Sequence, residues 1–249
     1  MSEEPVVSPV GAKVYGWIDS STRGALSKLD SLFPDATRLY VVGGAVRDFF
    51  LGGKRVPADL DVTVEGVAGT DLARTPGVKI NAFGGPMIEV GDLWVDIWAL
   101  EDTQRLKEYN LPININGVLG RFVFNLERIA LEAKEKRVVN RGCLEGIANR
   151  CIDYDPVKPK DEAIQAARLV ILHHKTEFDY SPRAINLLVR AKEMIQDPNV
   201  WVEVVKFFHS SGKYLNVIDS IRQEILSQPN LGSNSQGGGQ YKGVMDSHE

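Results

Sequence analysis

Residues 40–64 read YVVGGAVRDFFLGGKRVPADLDVTV, and this stretch decides the fold. The run of β-formers at residues 39–42 stops at the pair Gly43-Gly44, which predicts a buried strand followed by a tight turn. Residues 45–51 fit a short helix, and residues 60–64 alternate apolar and polar side chains as a strand does. The stretch therefore predicts a strand, a glycine turn, a helix and a second strand in close succession.

This strand–turn–helix–strand segment is typical of a site that binds phosphate and a metal ion. The glycine pair lets the backbone approach a bulky anion, and the helix N-terminus offers N–H groups to phosphate. Arg47, one turn into the helix, could reach a phosphate oxygen or pair with a neighbouring carboxylate. Asp59 and Asp61 are two residues apart on a strand, so their side chains share a face and repel unless a cation lies between them. Oxygen ligands favour Mg²⁺ or Mn²⁺, and a phosphate cradle beside paired carboxylates is the minimum equipment for nucleotidyl transfer.

The rest of the sequence changes character near residue 120. Before that point a helix is predicted over 15–33, and strands over 87–90 and 93–100 are joined by Gly91-Asp92 in a hairpin. After it, helical patterns fill most of the chain, at residues 122–136, 161–175, 182–196, 199–210 and 213–227. We therefore expect a flexible N-terminal arm at 1–14, an α/β domain at 15–125, an all-helical domain at 126–227 and a disordered tail at 228–249.

The composition, net charge and cysteine count exclude several classes of protein. The chain has 249 residues, 43% hydrophobic and 25% charged, with a formal net charge of −4, which excludes a wholly basic nucleic-acid coat but not a local basic groove. The two cysteines, Cys143 and Cys151, have neither a zinc spacing nor a disulfide framework. The acidic N-terminus does not resemble a signal peptide, and no apolar run approaches the roughly 20 residues of a membrane span. We expect a cytoplasmic protein.

The segment at residues 38–65 resembles the head domain of the class II tRNA nucleotidyltransferases (CCA-adding enzymes) and bacterial poly(A) polymerases. The family signature is a Gly-Gly-x-Val-Arg-Asp turn, then Leu-Gly, then Asp-x-Asp. The matching residues are Gly43, Gly44, Val46, Arg47, Asp48, Leu51, Gly52, Asp59 and Asp61, with a slightly longer gap before Asp59 than is usual. The resemblance implies an α+β fold: a polymerase-beta-like nucleotidyltransferase head, with a small mixed sheet and helices, followed by the helical neck.

The resemblance also implies a reaction. Asp59 and Asp61 would hold two divalent metals, and an RNA 3′-hydroxyl would attack the α-phosphate of CTP or ATP and release pyrophosphate. Gly43, Gly44, Arg47 and Asp48 would belong to the nucleotide site. Polymerase-like folds often add a third carboxylate, and the candidate is Asp96, the polar residue of the apolar run 93–98. A solvent-facing aspartate at a strand edge is the alternative for Asp96.

Residues 110–118 depart from the family pattern. The family has Arg-Arg-Asp-Phe-Thr-Ile-Asn-Ala-Leu here, and Asn116 matches its asparagine. The Arg-Arg-Asp part, which helps to hold the ribose and triphosphate in the family, is replaced by Asn-Leu-Pro at 110–112. Nucleotide contacts would then be weaker or shift to Arg105, Lys107 or Arg121.

A second departure lies at residues 161–168. The family has Glu-Asp-x-x-Arg, whose Asp and Arg read the Watson–Crick edge of the incoming base. Glu162 and Gln165 occupy those positions here, on one helix face, and Arg168 matches a second family arginine. An acidic helix start that complements the helix dipole is an equally simple interpretation. Likewise, the basic residues 173–175 are typical of a helix C-terminus, with RNA contact as the alternative.

The sequence thus predicts a metal-dependent RNA 3′-terminal nucleotidyltransferase reduced to head and neck. Its partners would be a nucleoside triphosphate and an RNA 3′ end, from tRNA or a small RNA, and a homodimer could extend the RNA-binding surface. Two alternatives stay open. The acceptor could be a small molecule or a protein, or the chain could be a catalytically silent RNA-binding homologue.

Overall fold

The computed structural model describes residues 9–33, 37–54, 56–57, 59–81, 85–91, 93–103, 106–155, 162–211 and 215–228. Within them, seven strands form one mixed sheet: β1 (Arg38–Val42), β2 (Leu60–Glu65), β3 (Val78–Ile80), β4 (Pro86–Val90), β5 (Leu93–Ala99), β6 (Ile129–Glu132) and β7 (Arg137–Asn140). Their order in space is β3-β4-β5-β2-β1-β6-β7. β2 and β5 are parallel, and the other neighbouring pairs are antiparallel.

The helices come in two groups. The first group accompanies the sheet: α1 (Pro9–Ser21), α2 (Ala25–Leu32), α3 (Gly44–Phe50), α4 (Gly69–Leu72), α5 (Ile115–Gly120) and α6 (Cys143–Ala148). The second group follows it: α7 (Glu162–Thr176), α8 (Pro182–Met194), α9 (Pro198–Ser211) and α10 (Ile218–Leu226). We call the seven-stranded sheet with α1–α6 the head, and the described residues from 151 onward the neck. The neck also contains a two-residue parallel pair, β8 (Cys151–Ile152) with β9 (Asp179–Tyr180).

Each face of the sheet has its own apolar cover. On one face Val41, Leu60, Val62 and Ile97 pack against α1, α2 and α3 in the main head core. On the other face Tyr40 and the residues that follow β5 build a smaller core with α5. Because side chains alternate along a strand, the acidic positions of β2 and β5 lie on this second face.

The neck has a separate core. α7 runs through its centre, with Ala166, Ala167, Leu169 and Val170 buried against α8, α9 and α10. Ile147 of α6 is partly buried and packs against both the main head core and this neck core. The head and neck are therefore two cores joined by apolar contact.

The structure confirms the predicted frame and corrects its surroundings. The strands at 39–42 and 60–64, the helix at 45–51 and the 91–92 hairpin are present as β1, β2, α3 and β4–β5. The helix predicted over 122–136 is wrong, because residues 129–132 form β6 and β7 follows. The sheet therefore continues beyond the expected boundary at residue 125, and the expected all-helical second half begins with strands.

The N-terminal prediction needs a similar correction. Residues 9–14, assigned to a flexible arm, form the start of α1, and Val14 is fully buried. Gly11 lies so close to the Lys136 carbonyl that a Cβ would clash with it, so α1 packs directly on the turn between β6 and β7. The predicted helix at 15–33 is two helices, separated at Arg23 and Gly24, which both have positive φ. The expected tail at 228–249 lies outside the described residues apart from Gln228.

No helix in the described part of the chain is long and apolar enough to cross a membrane.

The neck is tied together at Asp153, which follows β8. Ser181, the N-cap of α8, accepts a hydrogen bond from the Ala184 N–H and donates one to Asp153 Oδ1 at 2.6 Å. Arg183 forms an ion pair with the same carboxylate. Burial acts to raise the pKa of Asp153, but the hydrogen bonds from Arg183 and Ser181 and the Arg183 charge outweigh it and lower the pKa below its usual value.

Gly43 is the N-cap of α3, with φ 70° and ψ −121°. We expect Gly43→Ala to lower the free energy of unfolding by about 1–3 kcal/mol, since an L-residue is strained there. Gly16→Ala is the matched control. In the described part of the chain no atom lies within 4 Å of where a Cβ on Gly16 of α1 would be, so the change should be neutral or stabilising by about 0.5–1 kcal/mol. Urea denaturation of both variants measures the difference, and equal effects would contradict the assignment of strain to Gly43.

The Asp153 network predicts a pH dependence. Because its folded pKa is lowered, the stabilisation is fully present above the unfolded pKa of about 3.9 and is lost as the pH falls through the folded value. The difference in unfolding free energy between the wild type and Asp153→Asn should thus be constant from about pH 5 to pH 7 and shrink below about pH 4. Asp219→Asn, at an exposed site on α10, is the control. A difference independent of pH would refute the coupling.

Candidate active site

The glycine turn and the two aspartates meet at one end of the sheet. β1 and β2 are antiparallel, and Val42, the last residue of β1, lies opposite Asp61, near the start of β2. Gly43 follows directly, and its N–H donates to the Ile129 carbonyl of β6 at 2.8 Å. Its positive φ turns the chain into α3 within one residue. Strand register thus brings together the phosphate cradle and the carboxylates that the sequence predicted.

A cleft of about 680 Å³ lies at this end of the sheet. Its lining on the head side comprises Gly44, Ala45, Arg47, Asp48, Leu51, Lys54, Val56, Pro57, Asp59 and Asp61, and the neck side comprises Lys175, Thr176 and Glu177. Gly44 and Ala45 are the first residues of α3, so the helix N-terminus adjoins the cleft. The C-terminal end of α7 forms the opposite wall. The cleft therefore lies between head and neck.

Asp96 lies directly beside Asp61. β2 and β5 are parallel, and the register pairs Asp61 with Asp96. Residues paired in this way project to the same side of a sheet, so Asp61 and Asp96 share one face, and Asp59, just before β2, lines the cleft with Asp61. Asp96 is half-buried, and its Oδ1 accepts a hydrogen bond from Asn81 Nδ2 at 2.9 Å. Asn81 in turn accepts from the Gly85 N–H at 2.9 Å, which fixes the amide that orients Asp96.

The donor set fits a hard divalent cation. Asp59 and Asp61 both line the cleft and offer carboxylate oxygens on one face, and Asp96 adds a third from the adjacent strand. No three His, Cys, Asp or Glu side chains in the described ranges are grouped closely enough to hold a metal by themselves. A cation here would thus depend on the carboxylates converging and on oxygens from water or a substrate phosphate.

Arg47 is buried and bound by its neighbour. Its side chain is 6% exposed, and Nε and NH2 both donate to Asp48 Oδ1, at 2.8 and 2.6 Å. Both residues still line the cleft. The sequence allowed Arg47 either to bind a phosphate or to pair with a neighbouring carboxylate, and in the structure it pairs with the Asp48 carboxylate.

The Cys143 thiol lies near Arg47. Burial raises the pKa of Cys143 to about 12 despite the opposing Arg47 charge, so this thiol is a protonated core residue.

The residues predicted to read the base lie on the first half of α7, away from the lining of the cleft. Glu162 is bound by Arg190 of α8 through two hydrogen bonds of 2.9 Å. Arg168 donates to Gln165 Oε1 at 3.1 Å and to Glu127 Oε1 at 2.7 Å. Arg168 therefore connects α7 to Glu127, in the turn just before β6.

The remaining candidates are dispersed. Asn116 is exposed on α5, and its backbone carbonyl accepts from Arg141 NH1 at 2.7 Å. Arg121 lies 5.4 Å from the Phe122 ring, Lys107 is exposed, and Arg105 lies outside the described residues. Of the described residues, Asn116, Lys107 and Arg121 are not in the lining given above.

Sequence reasoning missed two residues that adjoin the site and did not place a third, Lys175, in the cleft. Lys54 and Lys175 face the cleft from its two sides, and Asn81 holds Asp96. Lys175 was named as part of a basic helix end, but the sequence has no signal that brings residue 175 to the region of residue 59. Asn81 lies in a segment with no predicted element.

The buried Arg47–Asp48 pair generates a stability prediction. We expect Asp48→Asn to lower the free energy of unfolding by about 1–3 kcal/mol, because it leaves a buried guanidinium without its counter-charge. Asp71→Asn is the control, since Asp71 pairs with Arg74 at 3.7 Å on the surface and such pairs contribute less than about 1 kcal/mol. Chemical denaturation measures both, and an Asp48 effect no larger than the Asp71 effect would refute a structural role for the pair.

Comparison with known proteins adds a fold relationship. No protein-family model and no curated protein gives a significant match to the sequence. Among solved structures, similarity is found to a tRNA-processing enzyme with CTP, at 21% identity and a TM-score of 0.56 over 80% of this chain and 56% of that chain. The Bacillus stearothermophilus CCA-adding enzyme in complex with CTP gives 17% identity and a TM-score of 0.54, over 76% and 48%.

A tRNA nucleotidyltransferase complexed with a primer tRNA and an incoming ATP analog gives 19% identity and a TM-score of 0.54, over 81% of this chain and 60% of that chain. This chain thus spans about half the length of the structures it resembles. The shared feature is the mixed sheet with its helices, as the resemblance at residues 38–65 predicted. The protein has the fold of the nucleotidyltransferase head found in CCA-adding enzymes.

Proposed function

We propose that this protein is a metal-dependent nucleotidyltransferase that adds nucleotides from CTP or ATP to an RNA 3′ end, of the CCA-adding or poly(A)-polymerase type, and releases pyrophosphate. One observation carries the proposal: the glycine turn and the paired aspartates Asp59 and Asp61 line the same cleft, at the end of one sheet. A phosphate site and a metal site that share one cleft are what nucleotidyl transfer requires.

The known proteins with this fold support the proposed substrates. The solved structures named above are of enzymes that process tRNA, and they were determined with CTP or with a primer tRNA and an ATP analog. Their names concern longer chains, so the acceptor of this chain is part of the proposal.

The chain's own residues divide the work as follows. Asp59 and Asp61 would bind the cation, and Asn81 would orient Asp96 as the third ligand. The backbone at Gly44 and Ala45 would bind phosphate oxygens at the N-terminus of α3. When bound, Mg²⁺ would lower the pKa of the attacking 3′-hydroxyl and stabilise charge on the α-phosphate.

Arg47 and Asp48 have a supporting part in this proposal. Their ion pair lies one turn into α3 beside the cleft and would help to keep the phosphate cradle in shape. Arg47 could still share a donor with a phosphate oxygen, because its guanidinium has five N–H groups.

Base choice would fall to the first half of α7. Glu162 is held by Arg190, yet each carboxylate oxygen has a second acceptor position for a base amino group. Gln165 both donates and accepts, and Arg168 holds its side-chain oxygen at 3.1 Å. Glu162, Gln165 and Asn116 lie outside the cleft lining, so they would meet the base where the bound nucleotide extends beyond the phosphate site.

The decisive experiment is incorporation of label with Mg²⁺, each nucleoside triphosphate singly, and tRNA trimmed of its 3′ end. We expect Asp59→Asn and Asp61→Asn to lower incorporation by roughly 100-fold or more, since loss of a metal ligand removes several kcal/mol of transition-state stabilisation. Asp219→Asn, on the exposed side of α10, should retain activity. A chelator should abolish the reaction, and added Mg²⁺ or Mn²⁺ should restore it.

The outcomes separate the alternatives. RNA labelling that persists in both aspartate variants would refute the mechanism. If RNA carries no label and a small molecule or a protein does, the chain is a nucleotidyltransferase with that molecule as its acceptor. The replacement of Arg-Arg-Asp by Asn-Leu-Pro at 110–112 favours testing that acceptor class. No transfer to any acceptor would identify a silent nucleotide- or RNA-binding protein.

A further inference from the structure

The face of the sheet that carries the aspartates extends beyond the cleft onto β3, β4 and β5. Strand register sets which side chains lie there. Lys79 pairs with Met87 and Met87 with Asp96, while Glu89 pairs with Trp94. All of these side chains therefore project to the same side as Asp61. Together they form a second surface, which we call the hairpin face, on the β5 side of the aspartates.

Trp94 is the exposed aromatic residue of the hairpin face. It is 40% exposed, two residues before Asp96 on β5 and one before Val95, which pairs with Leu60. If the parallel register is extended by one residue, Trp94 of β5 lies beside Asp59. The other tryptophan of the strand, Trp98, differs: it is half-buried in the smaller head core and donates to Thr103 Oγ1 at 2.9 Å. Core packing thus accounts for Trp98 but not for the exposed Trp94 ring.

An exposed lysine, Lys79, lies beside the Trp94 ring. Lys79 Nζ lies 4.8 Å from the Trp94 ring centroid and 3.6 Å from Glu89 Oε2. Lys79 is 64% exposed and Glu89 50% exposed. Exposed pairs of this kind contribute little to stability, so Lys79 can leave Glu89 for a phosphate at low cost. An aromatic ring beside an exposed lysine is the combination with which proteins bind single-stranded nucleic acid: the base stacks and the backbone pairs with the cation.

The two surfaces flank the aspartates. In the sheet, β2 lies between β1, which leads into the glycine turn, and β5, which carries Trp94. The cleft thus adjoins Asp59 and Asp61 from the β1 side, and the hairpin face adjoins them from the β5 side. A reaction between two substrates at these carboxylates needs both sides, because the reacting groups must meet in line between them.

From this arrangement we propose that Trp94 is the stacking platform for the 3′-terminal base of a single-stranded RNA acceptor, with Lys79 binding a backbone phosphate. The triphosphate occupies the cleft, and the acceptor reaches the carboxylates across the hairpin face. The assignment rests on the proposed function and deepens it by locating the second substrate.

The test is the dissociation constant of a short, 5′-fluorescein-labelled single-stranded RNA for the full-length protein, measured by anisotropy with Ca²⁺ in place of Mg²⁺ and no triphosphate. Trp94→Ala should weaken binding at least about fivefold, the lower end of the effect of one lost base–aromatic stack. Trp94→Phe should retain most of the affinity and Trp94→Leu should not, because a stack needs a π-face. Phe207→Ala is the control, since Phe207 on α9 is 36% exposed and off this face.

In steady-state assays Trp94→Ala should raise KM for RNA and leave KM for the triphosphate within about twofold. Binding by Trp94→Ala within twofold of the wild type, equal binding by the Phe and Leu variants, or a wild type that binds no RNA would each overturn the inference. Thermal denaturation checks that the variants are folded. The proposed function fails separately: RNA binding that depends on Trp94, without nucleotide transfer, would retain the platform and reject the enzyme.

Discussion

The antiparallel pairing of β1 with β2 is the constraint on which the site depends. Because Val42 lies opposite Asp61, the chain leaves β1 at the same end of the sheet at which β2 begins with its aspartates. Gly43 makes this possible, because its positive φ lets the backbone reverse into α3 while its N–H still bonds to β6. A slip of one residue in this register would move Asp61 to the face filled by α1 and α2, where a carboxylate has no partner.

Charge compensation is a shared feature of the elements around the cleft. Arg47 with Asp48, Glu162 with Arg190, and Arg168 with Glu127 form internal pairs whose members are mostly shielded from solvent. The second and third pairs tie α7 to α8 and to the turn before β6, and all three pairs add little net charge. The electrostatic character of the open cleft is then set by Asp59 and Asp61, by Glu177, and by Lys54 and Lys175.

Local signals account for what the sequence predicted correctly. The strand at 39–42, the glycine pair, the short helix and the Gly91-Asp92 hairpin all follow from residues within a few positions of one another. The failures involve tertiary contacts: residues 122–136 have a helix-compatible pattern, yet residues 129–132 pair with β1 as β6, and β7 pairs with β6 in turn. Likewise, Gly11 suggests a flexible arm in the sequence, whereas in the structure it packs against the Lys136 carbonyl. The meeting of residues 175–177 with residue 59 depends on how the neck docks, which no local pattern encodes.

The position of Ile147 has a consequence for the geometry of the cleft. Its side chain packs against the main head core and the neck core, while the cleft walls come from head and neck separately. Ile147 is therefore shared by both cores. A smaller side chain at this position would remove apolar contact from head and neck at once and loosen the junction that holds the two walls of the cleft together.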